Sequence, residues 1–343
     1  MRLRLRRASW GRGHHGSRAA AWLLGAVLIA AALAARAADW AVPSHWPTEF
    51  PKADFSRHAV SLDEIAEVLT RDAIPAVDEP RFVPAGEVRD VGGNEPVVSV
   101  VIAGEARAYP LRVLIWHEIV NDTVGGVPVA VTYCPLCNSA VVFDRRVGPD
   151  VLDFGTTGRL RLSDLIMYDR QSESWWQQFL GEAIVGTRTG ERLTMLPARV
   201  ESLERFRERA PGGLVLVPTS PAMRLYGLNP YPSYDSRKRP FKFFTGPLPE
   251  GIAPLAHVVA VEGEAWSLDL LRARGRITKG DLVLTWGPGQ ASALDSQLMA
   301  EGRDIGNVVV QRQTASGLED VIYDVSFAFA FHAFHPTGVI HKE

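Results

Sequence analysis

Two stretches of this 343-residue chain repeat one another, and the repeat limits the fold more than any other feature. The first runs Val97-Val98-Ser99-Val100-Val101-Ile102-Ala103-Gly104-Glu105-Ala106-Arg107-Ala108-Tyr109-Pro110-Leu111. The second runs His257-Val258-Val259-Ala260-Val261-Glu262-Gly263-Glu264-Ala265-Trp266-Ser267-Leu268-Asp269-Leu270. Each reads as a strand, a Gly-Glu turn, a returning strand and a short helix, with Pro110 suited to a helix start. Further matches keep the order. Val131-Thr132-Tyr133-Cys134-Pro135 aligns with Leu284-Thr285-Trp286-Gly287-Pro288, Ser139-Ala140 with Ser292-Ala293, and Leu165-Ile166-Met167-Tyr168-Asp169 with Val321-Ile322-Tyr323-Asp324. An ancient duplication accounts for the pattern and predicts two similar lobes sharing a core across a pseudo-two-fold relation. The expected fold class is α+β, predominantly β, with internally duplicated β-rich units and a few short helices. The 30 glycines and 23 prolines agree with frequent turns and short strands.

Four segments follow from this reading. Residues 1–37 carry seven arginines and no acid, and the apolar run Ala19–Ala35 ends at Ala35-Arg36-Ala37, the layout of a cleaved export signal. If that signal were kept, it would be an N-terminal membrane anchor just short of a comfortable span of about 20 residues. Residues 38–90 read as an arm and a helix, 91–250 as the first copy, and 251–343 as a shorter second copy packed on the first. In the arm, Ser61-Leu62-Asp63-Glu64 has the form of a capping box opening a helix through Ile65, Val68 and Leu69. Ser202 caps a second expected helix, Leu203 to Ala210, which Pro211-Gly212 ends.

Cleavage after Ala37 leaves thirty basic residues against 39 acidic ones, a net charge of −9. Such a chain has no electrostatic footprint for nucleic acid. The expected location is periplasmic or secreted, with no stable membrane span after cleavage. There is no Walker loop, Gly-x-Ser-x-Gly elbow or dinucleotide fingerprint.

The chain has two cysteines, Cys134 and Cys137, in a turn between two apolar runs. Three chemistries fit that spacing: a small disulfide, thiol–disulfide exchange, or one side of a metal site. A strand, Ala140-Val141-Val142-Phe143, follows the pair, whereas reactive thiolates usually sit at a helix N-terminus. Cys-Pro-Leu-Cys-Asn resembles the knuckle of rubredoxin and zinc-ribbon sites, with Asn138 at the left-handed position. A metal held there would be copper or zinc, and His117 is the third ligand or proton partner in sequence reach, on a helix shared with Asn121. Asp144, Arg145, Asp169 and Arg170 are candidates for a polar surround. The second copy has Gly287 and Gln290 where the first has cysteines, so the scaffold does without the sulfurs.

Two other readings stay open. One is a non-catalytic binding module, with Trp175-Trp176 and the Tyr-Pro-rich loop from Tyr226 to Lys242 holding a small molecule or polymer end and the cysteines forming a structural disulfide. The other is a hydrolase or transferase using Asp144 or Asp169 with His117.

Gly104-Glu105-Ala106-Arg107-Ala108-Tyr109-Pro110-Leu111, His117-Glu118-Ile119-Val120-Asn121-Asp122, Thr132-Tyr133-Cys134-Pro135-Leu136-Cys137, Phe143-Asp144-Arg145, Met167-Tyr168-Asp169-Arg170 and Ser174-Trp175 together resemble a bacterial and archaeal family known as domain of unknown function 3179. The resemblance implies an exported or membrane-associated protein with a large mixed, β-rich domain, and it implies no activity. It also implies variation at the second cysteine position among members, which raises Cys134 alone as a nucleophile or ligand.

Overall fold

The computed structural model describes residues 42–343, so the export signal expected over residues 1–37 lies outside the described residues. Short strands dominate, and five small sheets of four or five strands are arranged in the manner of a five-bladed propeller.

Four of the five sheets are two architectures used twice. In the first copy, strands Pro96–Ile102 and Glu105–Pro110 form a hairpin flanked by Arg199–Ser202 on one side and, in parallel, by Leu214–Val217 on the other. In the second, His257–Val261 and Glu264–Ser267 are flanked by Asp324–Phe327 and, in parallel, by Ile340–His341. Each hairpin runs into a seven-residue helix, Leu111–His117 or Leu268–Arg274. Each helix leads into a four-stranded antiparallel sheet. One is built from Ile119–Val124, Val127–Cys134, Ser139–Asp144 and Thr194–Met195, the other from Arg276–Lys279, Leu282–Gly287, Asn307–Thr314 and Gly317–Asp320.

The contacts between copies are reciprocal. Ser139–Asp144 of the first lies against Asp324–Phe327 of the second, and Asn307–Thr314 of the second lies against Arg199–Ser202 of the first. That exchange is what a pseudo-two-fold relation requires, and residues 42–343 form one compact unit.

The topology corrects two sequence alignments. The partner of Leu282–Gly287 is Asn307–Thr314, so a loop over residues 288–306, and not Ser292-Ala293, replaces the tight cysteine turn. Asp164–Asp169 belongs to the fifth sheet, with Ile65–Glu67, Phe154–Arg161, Trp175–Gln177 and Glu182–Val185. That sheet has no counterpart in the second copy, so Tyr323-Asp324 is not the equivalent of Tyr168-Asp169. The second match arose because short apolar segments ending in Tyr-Asp look alike without their pairing partners.

The helix expected after Ser61 does not form. Leu62–Glu64 is a single 3-10 turn, the Ser61 hydroxyl bonds to Asp63 and caps nothing, and Ile65–Glu67 pairs as an edge strand with Arg159–Arg161. Burying Ile65 against the fifth sheet outweighs a local capping preference. The cap at Ser202 does form, its hydroxyl accepting the Arg205 N–H at 3.3 Å ahead of Leu203–Arg209.

The arm is held by aromatic packing. Trp46, Phe50 and Phe55 are buried, with ring centroids 4.8 to 5.2 Å from that of Trp175. Neither Trp175 nor Trp176 offers a face to solvent, so they are core and not the binding platform expected of them.

Candidate metal centre

The first copy positions the two thiols by plain strand geometry. Cys134 is the last residue of Val127–Cys134 and pairs with Ser139, the first residue of the returning strand. Pro135 to Asn138 make the turn, closed by the Asn138 N–H to the Pro135 carbonyl at 3.2 Å. Asn138 takes the left-handed conformation (φ 52°) that the sequence assigned to it. Both thiols are free and buried, so no disulfide joins them here.

The third donor comes from the inserted sheet. Phe154–Arg161 turns through Leu162 and Ser163, both at positive φ (53° and 66°), into Asp164–Asp169. Such a turn normally takes Asn or Gly, and two ordinary residues there mark stored backbone strain. The turn lays the Ser163 carbonyl 3.6 Å from the Cys134 sulfur. It also sets one Asp164 oxygen and the sulfurs of Cys134 and Cys137 all within 4.8 Å of one another. The Asp164 Oδ2 accepts from Gln177 Nε2 at 2.6 Å and the Phe179 N–H at 2.9 Å, while the fully buried Oδ1 has no partner.

Glu118 adds a fourth acid. It follows the helix Leu111–His117 in a left-handed conformation (φ 58°) that Glu rarely adopts, and its side chain is buried. Burial, reinforced by Asp164, pushes its carboxyl up to about 8. Asp164 is pushed up to about 7 by burial, against the hydrogen bonds from Gln177 and Phe179. Burial raises Cys134, with Asp164 and Glu118 adding to the rise, and it lifts Cys137 well above the usual thiol range. Asp324, contributed by the second copy beside Ser139, is pushed up to about 7 by burial, against hydrogen bonding from Ser139 and the Ala140 backbone. The common element is burial, with repulsion between acidic groups adding to it at Glu118, both cysteines and Asp324, and a cation would offset both.

The rest of the sequence-derived site lies elsewhere. His117 does not reach the sulfurs. Its Nδ1 meets the Pro75 carbonyl at 2.7 Å, its Nε2 meets the Tyr226 hydroxyl at 2.8 Å, and the ring stacks on Tyr226. The helix that was to join His117 and Asn121 ends at His117, and Asn121 sits on a strand, donating to Asp78 and to the Phe154 carbonyl. Asp144 is bound by its neighbour Arg146, which holds its carboxyl below the usual range. Arg145 serves the carbonyls of Leu152 and Asp122. Asp169 accepts from Ser172 and from the Trp176 indole, and Arg170 pairs with Asp78 at 2.8 Å. These four side chains brace loops and form no polar surround for the cysteines. Tyr231 and Tyr234, from the expected binding loop, do come to the cysteine turn, and Tyr234 donates to the Leu136 carbonyl at 3.0 Å.

Sequence reasoning missed Asp164, Glu118 and Asp324. Asp164 and Asp324 reach the turn only through tertiary structure. Glu118 could have been found, because the second copy has Gly275 at the same helix end.

A sequence profile described as "protein of unknown function (DUF3179)" matches residues 71–338. The chain belongs to this family. The matched span contains both copies, the inserted sheet and every residue of the thiol and carboxylate cluster. No curated protein and no solved structure matches the chain.

Proposed function

We propose that this chain is an exported protein whose first copy holds one thiophilic divalent cation at Cys134, Cys137 and Asp164, with Glu118 as the fourth donor. One observation carries the reading: two knuckle sulfurs and a carboxylate oxygen converge within 4.8 Å in a buried site, and an oxygen of that carboxylate has no other partner. Zinc suits the donor set best. It accepts thiolate and carboxylate together in a four-coordinate shell, whereas copper(I) favours an all-soft shell. Binding would draw protons from the thiols and acids, which fits groups held neutral while empty.

Thiol–disulfide exchange has less support. Both sulfurs are buried and their raised pKa values leave little thiolate to attack another disulfide. Export rests on the basic, then apolar, then small-residue order of residues 1–37, and it places the protein in the periplasm or outside the cell.

The test is elemental analysis of the purified mature protein, followed by zinc titration after chelation. One equivalent of zinc is expected, lost in Cys134→Ser and Asp164→Asn. Failure of the native protein to carry or take up zinc would sink the reading.

A further inference from the structure

The second copy has no cysteine turn, and what stands in its place shapes a different feature. The loop over residues 288–306 bridges Leu282–Gly287 and Asn307–Thr314, where the first copy uses four residues. Its shape depends on Asp304, whose carboxylate accepts the backbone N–H groups of Gly289, Gln290 and Gly306 at 2.8 to 3.2 Å. Folded this way, the loop presents Arg303 to Ile305 as one wall of a cleft of about 300 Å³. The helix Leu268–Arg274 forms a second wall, with Asp269 and Arg272, and Asp235 to Arg237 a third.

Two kinds of charge meet in this cleft. Arg303 is spent, since it pairs with Asp235 and Asp295 at 2.8 Å, and Asp304 is spent on the backbone. Arg237 and Arg272 have no carboxylate partner among the described residues. Arg237 lies over the Phe241 ring at 4.6 Å and Arg272 over Trp286 at 5.2 Å, which orients both guanidiniums and neutralises neither. Against them stands one exposed carboxylate, Asp269, for which the structure gives no ion pair. His257, 7% exposed, also lines the cleft, and its Nε2 has no hydrogen-bond partner. In the first copy the residue equivalent to Arg272 is Ile115, which is buried in the core. The scaffold therefore does not require an arginine here.

We infer that this cleft binds a small solute carrying a carboxylate or phosphate group, received by Arg237 and Arg272, with His257 in the same lining. Neither guanidinium meets a carboxylate; Arg272 gives one N–H to the Asp304 carbonyl, and its remaining donors, with those of Arg237, match the oxygens of such a group. The volume sits at the small end for ligand pockets, which limits the solute to a few heavy atoms beyond its anionic group. The cleft is independent of the cysteine cluster and does not rest on metal binding.

Isothermal titration of the mature protein with inorganic phosphate and, separately, with malonate tests the inference. Saturable millimolar or tighter binding of either is expected, and the anion that binds identifies the chemistry. Arg272→Ala and Arg237→Ala, both exposed and so neutral to folding, should each weaken that binding by about tenfold or more. Cys134→Ser should leave it unchanged. No saturable binding of either anion, or equal binding by the arginine variants, would overturn the inference.

Discussion

Glu118 and Gly275 occupy the same backbone position in the two copies. Each ends a seven-residue helix in the left-handed region, at φ 58° and 68°. Each N–H returns to the carbonyl four residues back, Leu114 or Leu271. Each carbonyl accepts from the second strand of the following hairpin, at Tyr133 (2.8 Å) or Trp286 (2.9 Å). Glycine meets that geometry without steric cost and glutamate does not. The duplication therefore supplies an internal control: the first copy carries a strained, buried carboxylate where the scaffold accepts glycine.

Replacing Glu118 by Gly should relieve about 1 kcal/mol of backbone strain, offsetting the loss of its buried side chain. Urea melts of metal-free E118G should lie at or above those of the native protein. In a chelator competition, E118G and E118Q should hold zinc about 10- to 100-fold more weakly. Unchanged zinc affinity in both variants would remove Glu118 from the site.

The metal-free protein should become less stable as the pH rises. Glu118 at about 8, and Asp164 and Asp324 at about 7, keep protons in the folded state. The unfolded chain releases the same protons at about pH 4. A raised folded pKa gives stability that is complete below the unfolded value and lost as pH climbs through the folded one. Thermal melts of chelated protein should fall in midpoint between pH 5 and pH 8.5, a shift that Asp164→Asn reduces. A midpoint rising over that window would contradict the burial assigned to these acids.

Zinc should stabilise the native fold by mass action, because the unfolded chain lacks the assembled donors. Excess zinc should therefore raise the melting midpoint of the native protein and leave that of Cys134→Ser unmoved. Alkylation of the folded protein should be slow for both thiols and become fast only on unfolding, since both are buried. Rapid labelling of the folded, zinc-free protein would favour the exchange reading instead.

Trp175→Ala should cost about 3 to 5 kcal/mol, as expected for a large side chain lost from a core. Its ring is the meeting point of Trp46, Phe50 and Phe55, so the arm should come loose, as limited proteolysis before residue 65 would report. Zinc stoichiometry should be unchanged. An intact arm in this variant would mean that other contacts hold it.

Local patterns and global placement were unequally legible in the sequence. The knuckle could be read because everything it needs is contiguous in the chain: two strands, Pro135, and Asn138 for the left-handed bend. The Ser202 cap was likewise local. Ser61 misled because a capping box states a preference worth little beside the burial of Ile65. His117 misled because nearness along the chain was taken for nearness in space, whereas its ring is spent on Pro75 and Tyr226. Asp164 was invisible for the converse reason: it belongs to a sheet found in the first copy alone, and only the return of that sheet onto the turn brings its carboxyl to the sulfurs.

The Phe327 N–H donates to the Cys137 carbonyl at 2.9 Å, so one of the last strands of the chain fastens the cysteine turn. During synthesis the thiols emerge long before the strand that clamps them. A chain threaded outward unfolded would finish that clamp only after crossing, so the ions available at its destination, and not those of the cytosol, would decide what it carries.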